Sequence, residues 1–126
     1  MVATVLVTDD DRDALESTAM LLEAADYKVV RAYTAREALD VLDDHGDIDV
    51  VVSDIRMPDI DGFDFLRVVK ARFPAIPIVL VTGMPISRDD VVPAGACILQ
   101  KPFGFDELQQ AITEELEKKQ ARRPQG

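Results

Sequence analysis

Several residue types are scarce in this chain, and each shortage excludes something. The 126 residues include no Trp, two Tyr, five Phe, one His and one Cys. A lone cysteine, Cys97, rules out an internal disulfide and suits a reducing cytoplasm. Apolar runs are short, and none approaches the ~20 residues that a membrane helix needs. The N-terminus also lacks a basic stretch followed by an apolar core and a cleavage site. A cytoplasmic protein without membrane contact is therefore expected. Positive charge is in short supply as well. Fourteen Lys and Arg face 24 Asp and Glu, for a net charge of −10. DNA affinity rests on Lys and Arg neutralising phosphates, so direct nucleic-acid binding is excluded as a general property. Internal repeats and low-complexity segments are absent.

What remains is a chain of single-domain length, 48% apolar, in which short apolar runs alternate with amphipathic segments. Ala3 to Val7 is a β-branched run and reads as a buried strand. Leu15, Thr18, Ala19 and Leu22 recur at helical spacing after Asp11, a plausible cap. Lys28 to Ala32 reads as a second strand. Thr34 caps the next helix, with Glu37 three residues on to complete a capping box. Ala35, Ala38, Leu39 and Leu42 form its inner stripe, and His45-Gly46 ends it. Val50 to Val52 is a third strand running into Ser53-Asp54. A turn with Pro58, Asp59, Asp61 and Gly62 follows. Leu66, Val69 and Phe73 mark a helix closed by Pro74. Ile78 to Val81 and Cys97 to Leu99 are two further strands. Phe105 to about Ala121 is a last helix with Leu108, Ala111, Ile112 and Leu116 inward. Strands separated by helices predict a parallel sheet covered on both faces. Right-handed crossovers make it a doubly wound α/β fold with five strands and about five helices.

In such folds ligands bind beyond the carboxyl ends of the strands. Thr8, Asp9, Asp10 and Asp11 end the first strand, Asp54 the third, Thr82-Gly83 the fourth, and Gln100, Lys101 and Pro102 the fifth. If the first and third strands are neighbours, Asp9, Asp10 and Asp54 converge. Three close carboxylates cannot all ionise cheaply. A bound divalent cation resolves the conflict. Oxygen donors without nearby Cys or His suit Mg²⁺ better than zinc. Thr82 adds a hydroxyl and Lys101 an ammonium. The set can cradle a phosphoryl group in transfer, and a carboxylate nucleophile can become an acyl phosphate.

The stretches VLVTDDDRDALESTAMLLEAADYKV, VVSDIRMPDIDGFDFL, PIVLVTG and LQKPF, in this order and spacing, resemble the receiver domain of bacterial two-component response regulators. The likeness covers nearly the whole chain. It implies a flavodoxin-like five-stranded sheet in the order 2-1-3-4-5. It implies a phospho-acceptor at Asp54, and Mg²⁺ held by Asp10, by Asp9 directly or through water, by Asp54 and by the backbone carbonyl of Arg56. Thr82 and Lys101 would contact the phosphoryl group, and Pro102 would follow a cis peptide bond. The implied donor is a phosphohistidine on a sensor histidine kinase or a phosphotransfer protein. The implied recipient of the signal is an output domain or partner protein reached through the fourth helix, fifth strand and fifth helix. A homodimer is one assembly open to such a domain. SDIRMP with VTG is similar to receivers fused to transcriptional activators. The only chemistry expected is the domain's own phosphorylation and dephosphorylation, so an enzyme acting on other substrates is not expected.

Two positions depart from that pattern. Ile98 stands three residues before Lys101, where the family usually has Phe or Tyr, and the segment from Thr82 to Lys101 is short and carries Pro85 and Pro93. Residues 84–94 are therefore expected to form a short or irregular helix, because proline in a helix interior costs ~3 kcal/mol. Residues 1–121 are assigned to the receiver and residues 122–126 to a basic tail or linker remnant. Lys118, Lys119, Arg122 and Arg123 suit a solvated helix end. His45 reads as exposed, and Cys97 as a small buried hydrophobe. Two rivals remain. A haloacid-dehalogenase-like phosphatase would use Asp9 and Asp11, but Asp13 occupies the place its motif gives to Thr or Val. A degenerate receiver acting only as a docking module would have a broken pocket, and here every pocket residue is present.

Overall fold

The computed structural model describes residues 2–57, 59–83 and 96–121. The strands are β1 (Thr4–Thr8), β2 (Lys28–Ala32), β3 (Val50–Asp54), β4 (Ile78–Thr82) and β5 (Cys97–Gln100). The helices among the described residues are α1 (Arg12–Ala24), α2 (Ala35–Asp44), α3 (Gly62–Arg72) and α4 (Phe105–Ala121). The count is one short of the five helices expected, and the expected short helix over residues 84–94 lies outside the described residues. So do Pro58, Arg122 and Arg123.

All strand pairs are parallel, in the order β2-β1-β3-β4-β5. The apolar runs explain why. Strands buried on both faces cannot alternate with polar residues, so they become continuous stretches of Val, Ile and Leu. Their period of two then divides the side chains between two layers. Leu6, Val51, Ile78 and Leu80 pack with Ala35, Ala38, Leu42, Phe65, Leu66 and Val69 from α2 and α3. Val5, Val7, Val50, Val52, Val79 and Val81 pack with Leu15, Ala19, Leu22, Leu108, Ala111 and Ile112 from α1 and α4. Of the expected α1 stripe, Thr18 is only half-buried. Ile98 lies beside Leu80 in the β4–β5 register and packs against the α2–α3 layer.

Helix starts follow their cap residues. The Asp11 carboxylate accepts from the N–H groups of Asp13 and Ala14, and the Asp61 carboxylate from Phe63. At α2 the Thr34 hydroxyl accepts from Glu37 N–H at 3.0 Å. The return arm differs from the expected capping box: Glu37 Oε2 accepts from Tyr33 N–H, at 2.7 Å, one residue before the cap. The α1 exit turn places Asp26 at φ 71°. Asp tolerates this left-handed conformation because its short polar side chain can bond locally. Outside α1 and β2, Arg31 bridges two acids, with Nε 2.9 Å from Glu16 Oε1 and a terminal nitrogen 2.8 Å from Glu23 Oε1.

Candidate functional site

Parallel pairing of β1 with both β2 and β3 puts the ends of β1 and β3 side by side, with Thr8 level with Ser53. Asp9 and Asp10 follow β1, and Asp54 closes β3. One carboxylate oxygen from each of these three lies within 4.8 Å of the others. Asp9 is buried, Asp54 half-buried and Asp10 exposed. Lys101 reaches the same point from beyond β5. Its Nζ lies 3.5 Å from Asp9 Oδ2 and 3.8 Å from Asp54 Oδ2. Three carboxylates thus meet one ammonium.

The imbalance appears in Asp9, whose carboxyl is pushed up to about 6. Burial is the main cause, and the neighbouring Asp54 carboxylate adds to it. The Asp11 N–H, 2.9 Å from Asp9 Oδ1, and the Lys101 ammonium act in the opposite sense without overcoming it. The donor set therefore fits a hard divalent cation such as Mg²⁺. It is all oxygen, it is compact, and it carries more negative charge than Lys101 can offset. His45 and Cys97 are not part of it.

The surroundings fix these groups. Arg56 N–H donates to Asp54 Oδ1 at 3.2 Å, which sets the rotation of that carboxylate. Arg56 lines a cleft of about 370 Å³ with Asp10, Ile55, Met57, Asp59 and Asp61. Thr82 ends β4 and is buried, and its carbonyl accepts from Lys101 N–H at 2.6 Å. The Lys101–Pro102 peptide is cis. Thr8 Oγ1 donates to the Thr34 carbonyl at 3.3 Å and also lies 3.8 Å from Met57 Sδ. The loop from Ile55 closes on Gly62, whose N–H donates to the Ile55 carbonyl at 2.8 Å. A Cβ on Gly62 would sit 2.5 Å from Ile55 Cα, closer than any real contact, so a side chain there would force the backbone apart.

The expected residues fall into place unevenly. Asp9, Asp10, Asp54 and Lys101 are brought together, with Thr82 and Arg56 alongside. Ile98 stands back in the core layer. Asp11 is engaged as the α1 cap, and Asp13 lies in the first turn of that helix. Sequence reasoning treated Asp59 only as part of a turn. Its carboxylate in fact accepts from Ala35 N–H at 3.3 Å and Arg36 N–H at 2.9 Å, across to α2. Burial opposes its charge, yet these two N–H groups, with those of Asp59 itself and Ile60, hold its carboxyl below the ordinary range. No spacing rule links a loop acid to a helix start more than twenty residues earlier, so the sequence carried no signal for it.

Known proteins resemble this chain in sequence and in fold. Response regulator Rre1 of Synechocystis sp. is 38% identical over 124 residues, which is 94% of this chain and 53% of that protein. The chain thus spans about half the length of that relative. A CheY-like receiver domain structure from Methanospirillum hungatei superposes with a TM-score of 0.88 at 28% identity, covering 98% of this chain and 100% of the other. Response regulator TrrA of Thermotoga maritima, solved in complex with Mg²⁺-BeF, gives a TM-score of 0.82 at 27% identity, over 90% and 98% of the two chains. The family model of the response regulator receiver domain matches residues 5–113, and on that match, with the sheet order and the acidic strand ends, this chain belongs to the receiver domains of two-component response regulators.

Proposed function

We propose that this domain is a phosphorylation switch that accepts a phosphoryl group on Asp54 from the phosphohistidine of a sensor kinase or phosphotransfer protein. The observation that carries the reading is the meeting of Asp9, Asp10 and Asp54 within 4.8 Å, with Lys101 Nζ beside two of them. Asp54 supplies the nucleophilic oxygen. As its bond to phosphorus forms, the donor's phosphorus–nitrogen bond breaks and the electron pair leaves with the imidazole. Such a transfer needs alignment and charge neutralisation more than covalent help. Arg56 N–H holds the Asp54 carboxylate in one rotation. Lys101 stands where it can pair with phosphoryl oxygens, and the Thr82 hydroxyl is the natural contact once Asp54 is modified. Asp9, Asp10, Asp54 and the Arg56 carbonyl are the residues to hold Mg²⁺, which when bound would neutralise the carboxylates and the phosphoryl oxygens.

The domain turns over no other phosphate ester on this reading, and it signals to an output domain or partner. The test is intact mass after incubation with acetyl phosphate and Mg²⁺. One phosphoryl group is gained by the native chain and none by Asp54→Asn. Uptake by Asp54→Asn at the native rate would refute the assignment. Steady hydrolysis of a generic phosphate ester would favour a phosphatase instead. Phosphotransfer from a panel of phosphorylated kinases then identifies the donor.

A further inference from the structure

Asp59 makes an unusual connection for a loop acid. Both of its carboxylate oxygens are spent on the start of a different element, Oδ1 on Ala35 N–H at 3.3 Å and Oδ2 on Arg36 N–H at 2.9 Å. Thr34 already caps that helix through Glu37 N–H, so α2 does not depend on Asp59 for a cap. The Arg36 bond lies at the surface, where water could replace it. Satisfying α2 is thus a small part of what the contact does. Its larger effect is on the loop. The stretch from Ile55 to Gly62 is pinned at its base, where Gly62 N–H meets the Ile55 carbonyl at 2.8 Å. Within it stands Arg56, whose N–H meets Asp54 Oδ1. Asp59, three residues beyond Arg56, lines the same cleft and supplies the anchor to α2. The ground it anchors to is itself fixed, since the Thr34 carbonyl accepts from Thr8 Oγ1, next to Asp9. Hydrogen bonds therefore link β1 to the α2 start and the α2 start to Asp59, which stands three residues along the loop from Arg56.

We infer that Asp59 is a positioning residue for the acidic site: by clamping the β3–α3 loop to the start of α2, it holds the Arg56 backbone where the carboxylates and their cation need it. This rests on reading that site as a Mg²⁺ site. Outer partners of metal-site groups commonly contribute 10- to 100-fold in affinity because they fix orientation.

The experiment is calorimetric titration of the full chain with Mg²⁺, paired with thermal melting. Four proteins are compared: native, Asp59→Ala, Asp59→Asn and Thr34→Ala. Thr34→Ala removes a bond from the same helix start without touching the loop, so it reports what a weakened α2 does by itself. Asp59→Ala is expected to lose roughly tenfold in Mg²⁺ affinity. Asp59→Asn, which keeps one acceptor oxygen, is expected to lose less, and Thr34→Ala to bind like the native chain even if it melts as early as Asp59→Ala. Phosphorylation by acetyl phosphate should follow, with Asp59→Ala needing more Mg²⁺ but approaching the native maximum. Native affinity in Asp59→Ala, or an equal loss in Thr34→Ala, overturns the inference while the Mg²⁺ site stands. If Asp59→Ala does not fold, a native affinity in Asp59→Asn overturns it and a partial loss supports it. A native chain that binds no Mg²⁺ overturns both the inference and the site reading beneath it.

Discussion

Two clusters of charge on this molecule differ in one respect that separates structure from function. On the outside of α1 and β2, Arg31 faces Glu16 and Glu23 at 2.9 and 2.8 Å, and Tyr33 Oη donates to Glu16 Oε1 at 3.2 Å. Arg12 stacks over the Tyr33 ring at 4.4 Å. The Glu23 carboxyl is held below its ordinary range, chiefly by its hydrogen bond from Arg31. Both acids there have the Arg31 guanidinium as a short partner. At the strand ends, one ammonium lies 3.5 and 3.8 Å from two of three clustered carboxylates, and Asp9 is pushed upward. The first cluster is complete within the chain. The second carries carboxylate charge that its one ammonium does not offset. Counting acids alone would not separate the two; partner distance, burial and the direction of the pKa shift do.

The comparison can be broken or sharpened by experiment. The largest contrast is in phosphoryl uptake, which Asp54→Asn should abolish and Arg31→Ala should leave unchanged by intact mass. If Arg31→Ala also abolished uptake, the two clusters would not be independent.

Next comes stability against pH. In the unfolded chain Asp9 sheds its proton near its ordinary 3.8, whereas in the folded domain it keeps the proton to about 6. Between those values the folded form binds more protons, so the Asp9 contribution falls as pH rises and stays low above 6. The shift corresponds to on the order of 2 to 3 kcal/mol. Asp9→Asn keeps an oxygen for the Asp11 N–H and removes the charge. It should therefore be more stable than the native chain by up to that amount at pH 7.5, measured by denaturant melts without metal, and the gain should vanish near pH 4. Constant ΔΔG across that range would mean that Asp9 is not strained.

Mg²⁺ should relieve the same strain. At a concentration 100-fold above its Kd it adds about 2.7 kcal/mol and raises Tm by several degrees. Below pH 6 the effect should shrink, because the proton on Asp9 competes. Asp10→Asn should shift the whole titration to higher Mg²⁺. A melting curve indifferent to millimolar Mg²⁺ would equate the two clusters. The smallest effect belongs to the surface. Arg31→Ala should cost at most about 1 kcal/mol, since exposed pairs gain little over hydration and are screened by salt.

Much of this was legible before any coordinates. The β-branched runs gave the strands to within a residue or two, because strands buried on both faces admit almost nothing else, and Lys28–Ala32 and Phe105–Ala121 coincide with the expected bounds. Asp11 and Thr34 sit at the helix starts they were expected to cap. Asp9, Asp10, Asp54 and Lys101 could be named because strand ends in parallel folds gather at one edge. What stayed hidden is the choice of individual hydrogen-bond partners. Glu37 reaches Tyr33 rather than Thr34, Asp59 crosses to α2, and the Arg56 amide meets Asp54. The first and last are local bonds whose choice of partner periodicity does not fix, and the Asp59 contact depends on how two elements far apart in sequence approach.

The distance along the chain between Lys101 and Asp9 has a consequence for biosynthesis. The pair is separated by 92 positions, and Thr82 and Asp54 come from two further strands between them. Since β5 is the last strand to be made and pairs only with β4, a chain halted before it would carry the acidic residues without their ammonium. A nascent or truncated product therefore lacks the full set of groups gathered at the strand ends. Assembly of the site therefore waits until β5 has been made and has paired with β4.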